Sequence, residues 1–85
     1  MTIDIQKIYK ATQPQRFKLL EIINENEGLR FQDIVRRMNM KPSAVHKHLR
    51  VLISNQLVSF HQGWNYRITT DGMIIFLRIK KASNL

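Results

Sequence analysis

Apolar residues recur at helical intervals in five stretches of the chain and at alternate positions in one. Ile5, Ile8, Tyr9 and Thr12 stand at i, i+3, i+4 and i+7, which predicts a short helix over residues 3–11 with one apolar stripe. Pro14 suits the first turn of a second helix, where its missing N–H costs nothing. That helix turns Phe17, Leu19, Leu20 and Ile23 inward and is expected to stop at Gly28. Residues 31–38 predict a third helix, with Phe31, Ile34, Val35 and Met38 on one side and a turn at Asn39 and Met40. A fourth runs from Pro42 to Asn55 or Gln56. The period then drops from 3.6 to about 2. Val58 and Phe60 alternate with polar residues, Gln62 and Gly63 turn the chain, and Trp64, Tyr66 and Ile68 return, so a two-stranded hairpin is expected. Thr69 or Thr70 can cap a last helix, "DGMIIFLRIKK", whose Arg78, Lys80 and Lys81 suit the negative end of its dipole. The pattern is mainly α with a small β-hairpin, an α+β chain of one domain over residues 1–85.

Eighty-five residues lie near the lower limit at which one apolar core supports a fold alone, so help from a partner chain fits the size. Apolar residues make up 44% and charged ones 24%, which predicts a folded domain rather than a disordered one. Fourteen Lys and Arg against six Asp and Glu give a formal charge of +8, which favours a polyanion as partner over the plainer reading of a basic protein without one. There is no cysteine, so disulfides, thiol catalysis and Cys-ligated zinc are excluded. The opening "MTIDIQKIYK" lacks a signal peptide's apolar stretch. The longest continuous apolar run, Met73 to Leu77, is far too short to cross a bilayer. The expectation is an intracellular, cytoplasmic protein with no membrane partner.

The placement of the charge narrows the partner. From Ile34 to Thr70 there is no Asp or Glu, while Arg36, Arg37, Lys41, Lys47, Arg50 and Arg67 all fall in that stretch. Glu21, Glu25 and Glu27 collect in the second helix and just after it, which suggests one basic face and one neutral or acidic face. At about 100° per residue, Val45, Leu49 and Leu52 share one face of the fourth helix, and Ser43, Lys47, Arg50 and Ser54 point nearly opposite. Core and contact surface are thus separate. Enzymatic readings fail on inventory: the acids are scattered, no nucleophile has a base at hand, and there is no phosphate-binding glycine loop. No cofactor or metal is expected. His46 and His48 diverge by about 200° on a helix, so one ion cannot take both. His48 flanks the buried side and is expected to be a packed residue.

Three segments resemble known regulators. "VHKHLRVLISNQLV", residues 45–58, is similar to the recognition-helix segment of ArsR-type regulators in His48-Leu49, Leu52 and Leu57-Val58. Pro14, Arg16 and Leu20 in "PQRFKLLEII" resemble the entry helix of the same family, with its Pro-x-Arg and following Ile-Leu, and "YRITTDG", residues 66–72, resembles the exit from the wing in MarR-type proteins. The resemblance covers residues 11–77 and implies a winged helix-turn-helix: the helix-turn-helix over 30–55, a wing over 57–69 and a C-terminal dimerisation helix over 70–82. It implies a double-stranded DNA-binding transcriptional regulator, a repressor acting as a homodimer. DNA contacts would come from Arg36, Arg37, Lys41, Ser43, His46, Lys47 and Arg50, and at the wing from His61, Gln62, Gly63, Trp64 and Arg67. Trp64 would either insert near a sugar edge in the minor groove or fold back over the strands. The dimer interface would use Ile5, Ile8 and Tyr9 with Met73, Ile74, Phe76 and Leu77, because the last helix has hardly any polar circumference. The chain departs from the pattern where Gln56 stands in place of a glycine and Arg30 in place of a capping Ser or Thr, and it lacks the cysteine clusters of metal sensors. The competing class is a winged helix serving as a protein-interaction module of a transcription or nucleic-acid-processing assembly. A third, single-stranded or RNA binding, calls for more exposed aromatics than Trp64.

Overall fold

The computed structural model describes residues 5–63 and 65–83, the side chains of Ile5, Gln6 and Ser83 excepted. Trp64 and the Ile5 side chain therefore lie outside the described residues. The elements follow as α1 (Ile5–Thr12), α2 (Pro14–Glu25), β1 (Leu29–Arg30), α3 (Phe31–Met38), α4 (Pro42–Ser54), β2 (Val58–His61), β3 (Asn65–Ile68) and α5 (Thr70–Ser83).

Local chemistry accounts for most of these boundaries. Pro14 opens α2, and the Gln13 side chain accepts the Arg16 N–H at 2.9 Å, satisfying one of the free donors of the first turn. The helix ends at Glu25, before Gly28, where Asn26 Nδ2 donates to the Ile22 carbonyl at 3.0 Å. Arg30 stands at the start of α3 without any side-chain cap. Asn39 ends that helix in the left-handed region, φ 55°, which asparagine tolerates better than most residues. Pro42 then opens α4. At the other end of α4, Gln56 N–H donates to the Ile53 carbonyl and Leu57 N–H to the Leu52 carbonyl, both at 2.9 Å, the paired bonds of a Schellman cap. Gln56 occupies its left-handed position, φ 61°, at a backbone cost of about 1 kcal/mol relative to glycine. Its Oε1 accepts from Lys7 Nζ at 3.2 Å, and the same ammonium lies 3.3 Å from Asp71, so α1 holds the end of α4 to the start of α5.

The core gathers Leu19, Leu20 and Ile23 from α2, Ile34 and Met38 from α3, Val45, Leu49 and Leu52 from α4, and Ile75 and Phe76 from α5. Leu57, Val58 and Tyr66 close it on the sheet side, and Ala11 lets α1 approach. Each fully buried Leu or Ile contributes on the order of 1.5–3 kcal/mol. Phe76 corrects an expectation. It is 2% exposed and stacks on Phe17 at 5.0 Å, so it belongs to the chain's own core and is not available to a second chain.

Two further corrections concern the sheet. Its order is β1-β3-β2, all antiparallel, with Leu29 opposite Tyr66 and Val58 opposite Ile68, so three strands stand where the alternation predicts a two-stranded hairpin. Two residues are too few for a period of two to register, and β1 exists only because β3 offers its edge. Phe60 shares a face with Val58 by alternation yet is 47% exposed, because the hairpin runs beyond the core; its ring rests on Tyr66 at 4.9 Å.

The base of the hairpin is locked. Thr69 N–H donates to the Leu57 carbonyl at 3.0 Å, Thr69 Oγ1 donates to the Gln56 carbonyl at 2.7 Å, and the same oxygen accepts the Gly72 N–H at 2.9 Å as the cap of α5. Gly72 is there because nothing larger fits: a Cβ would lie 2.1 Å from the Leu57 carbonyl oxygen.

Candidate nucleic-acid interface

The two faces of α4 separate as its 3.6-residue period requires. Val45, Leu49 and Leu52 are at most 1% exposed, whereas Ser43, His46, Lys47, Arg50 and Ser54 are all exposed. Asn39 in its left-handed turn and Pro42 at the helix start fix the angle at which α4 leaves α3. His46 lies edge-on to Phe31 at 6.3 Å, which steadies its ring at the surface. Beside these residues runs a cleft of about 400 Å³ lined by Lys10, His46, Lys47, Arg50, Val51, Ser54 and Asn55, with no acidic side chain among the described residues of its wall. Lys10 comes from α1, and sequence reasoning misses it. The available signal is its position one turn from Lys7, flanking the buried Ala11, but nothing local says that this side of α1 faces α4.

The remaining basic residues are dispersed. Arg36 and Arg37 end α3 and are exposed, Arg36 with Asp33 at 3.9 Å. Lys41 precedes α4 and is also exposed. At the hairpin tip Gln62 and Gly63 are exposed, and Asn65 Nδ2 closes the turn by donating to the Gln62 carbonyl at 3.1 Å. Alternation puts His61 and Arg67 on the sheet face away from Tyr66, in a second cleft that also contains Ser59, Asn24 and Glu27. There the Ser59 hydroxyl and His61 Nε2 are 2.7 Å apart, and Arg67 lies 3.7 Å from Glu27. The separation of a basic face from a neutral or acidic one therefore holds around α4 and fails at β3, where Glu27, just beyond α2, pairs with Arg67.

His48 is half-buried, and its Nδ1 finds no hydrogen-bond partner among the described residues. Burial, then the positive charges of Arg16 and Lys47, hold its pKa below the usual histidine range. Arg16 also donates Nε to the Lys10 carbonyl at 2.6 Å, satisfying one of the free acceptors at the end of α1.

Away from α4, α1 and α5 carry exposed apolar side chains: Tyr9 at 67%, Leu77 at 52% and Met73 at 36%. Ile8 and Ile74 are half-buried. Between the two helices an apolar cleft of about 390 Å³ is lined by Ile8, Thr12, Ile75, Arg78, Ile79 and Ala82. Among the described residues no helix is long and apolar enough to cross a membrane.

Two solved structures share this arrangement. One is a multiple antibiotic-resistance repressor (MarR) from Listeria monocytogenes 4b F2365, with a TM-score of 0.72 at 18% identity over 85% of this chain and 55% of that one. The chain thus spans about half the length of that relative. A second is a possible transcriptional regulator for arsenical resistance, with a TM-score of 0.72 at 20% identity over 96% of this chain and 88% of that one. At these identities the likeness is one of fold. No curated protein sequence matches the chain. Residues 13–59, more than half of the chain and including all of α2, α3 and α4, match the family model for winged helix-turn-helix DNA-binding proteins, and the chain belongs to that family.

Proposed function

We propose that the chain is a sequence-specific, double-stranded DNA-binding transcriptional regulator without enzymatic activity, a cytoplasmic repressor that acts as a homodimer. The observation that carries the reading is the exposed, acid-free face of α4, on which Ser43, His46, Lys47 and Arg50 stand opposite a fully buried apolar stripe. In this reading α4 enters the major groove, Lys47 and Arg50 reach base edges, and Arg36, Arg37 and Lys41 hold the backbone. The hairpin tip at Gln62 and Gly63, with the His61 beside it, lies along the flanking backbone or minor groove. Arg67 joins it only if its exposed pairing with Glu27 gives way, and such pairs contribute little. The dimer is supported by the apolar side chains that α1 and α5 leave exposed, Tyr9, Met73 and Leu77, with Ile8 and Ile74 beside them. Repressors act by occupying an operator, and the likeness to the Listeria repressor supports that direction of control.

Binding-site selection on random duplex DNA tests the whole reading. A palindromic or near-palindromic motif is the expected outcome. Failure to enrich any sequence would leave the protein-interaction reading in its place.

A further inference from the structure

We infer that Lys10, on α1, binds a backbone phosphate at the DNA interface, so that α1 belongs to the bound surface as well as to the face it shares with α5. The inference rests on the DNA-binding reading above and assigns it a residue outside the segment that matches the family. Lys10 lines the same acid-free cleft as His46, Lys47 and Arg50. Among the described residues it makes no ion pair, whereas Lys7, one turn earlier, is tied to Asp71. Like charges brought around one cleft repel, and an anion seated there relieves the repulsion. A duplex phosphate beside the groove that α4 enters meets that requirement, and the cleft lies directly between α4 and the end of α1.

The position is also held in place. Ala11 is fully buried, and the Arg16 guanidinium bonds the Lys10 carbonyl, so the backbone that carries the ammonium is anchored to α2 and to the core. Only the flexible stem remains to be ordered on binding, with its ammonium now 5.9 Å from the centre of the Tyr9 ring. An anchored lysine of this kind contributes charge without base preference.

The test compares the parent with Lys10→Ala, Lys10→Arg and Arg50→Ala by fluorescence anisotropy, on the selected duplex and on a scrambled one, between about 50 and 200 mM salt. Each phosphate that is no longer neutralised should flatten log K against log salt by about 0.9, so the deficit of Lys10→Ala relative to the parent should shrink roughly 3.5-fold per protomer across that range. The loss should be equal on both duplexes, and Lys10→Arg should restore the parent slope. A parent slope in Lys10→Ala overturns the inference, as does a loss that Lys10→Arg fails to restore, which would mark a packing role. If Arg50→Ala meanwhile lowers preference for the selected duplex, the DNA-binding reading stands without Lys10. A parent that binds neither duplex defeats the reading, and this inference with it.

Discussion

Arg50 and Arg36 are both exposed arginines on neighbouring helices, yet their surroundings give them different work. Arg50 projects from the exposed side of α4 with no acid among the described residues of its cleft, whereas Arg36, near the end of α3, lies beside Asp33. Arg50→Ala is expected to cost about 1–3 kcal/mol on the selected site and to relax preference at one position, while Arg36→Ala should weaken all sequences alike and lower the salt slope by about one per protomer. Anisotropy on cognate and scrambled duplexes distinguishes the two, and both variants should keep the parent's stability to within about 0.5 kcal/mol. His48 predicts a pH effect of definite sign. Its folded-state pKa lies below that of the unfolded chain, so the unfolded chain binds more protons as pH falls below the ordinary histidine value. Stability should therefore be highest above that value and decline as pH falls from about 6.5 toward the folded pKa. His48→Gln should lose that part of the decline in urea titrations across the same window, and an unchanged profile would remove His48 as its source. At this scale the faces of α4 were legible, because a helix assigns exposure by angle alone. The pairing of Arg67 with Glu27 was not, since it depends on where the end of α2 meets the sheet.

Among the elements, α5 depends on a missing methyl group. Gly72 sits inside a helix, where alanine is ordinarily about 1 kcal/mol better, but its Cβ would meet a backbone carbonyl that cannot rotate away. Gly72→Ala is accordingly expected to destabilise the fold by about 1–3 kcal/mol, the reverse of the propensity effect, as urea unfolding will read directly. A variant as stable as the parent would mean that α5 shifts freely against Leu57. The helices were legible from periodicity and from their proline, threonine and asparagine punctuation. What was not legible is non-local: β1 arises from the edge of β3, Phe60 emerges because the hairpin outruns the core, and Phe76 turns inward because Phe17 awaits it. In the continuous apolar stretch Met73 to Leu77, period alone cannot divide core from surface. The fold divides it, burying Ile75 and Phe76 and exposing Met73 and Leu77.

For the molecule as a whole, dimensions and charge bear on assembly. In the proposed homodimer, joined through α1 and α5, the two α4 helices should sit about 34 Å apart, the distance that separates successive major grooves on one face of a duplex. Light scattering of the parent should give about twice 10.1 kDa at micromolar concentration, and Leu77→Glu, which puts a charge on the exposed apolar face, should shift the mass toward one chain without unfolding it. A parent that stays monomeric at every concentration would sink the proposed homodimer. The net positive charge was visible from composition, but the meeting of Lys10 with Lys47 and Arg50 at one cleft required α1 to come alongside α4.

The lock at Thr69 also makes the wing tip an exchangeable part. Because Leu57 and Thr69 are bonded to each other and Gly72 abuts Leu57, the orientation of α4 relative to α5 is set below the hairpin and owes nothing to its length. Lengthening the tip by two residues per strand would add roughly 6–7 Å of reach, at a loop-closure cost below about 0.6 kcal/mol. Such an insertion between Gln62 and Gly63 should widen the footprint on DNA while leaving half-site spacing and dimer mass unchanged, as footprinting and light scattering would register. In the proposed homodimer a lineage, or an engineer, can therefore alter how far the protein reaches along DNA without retuning how its two halves sit on it.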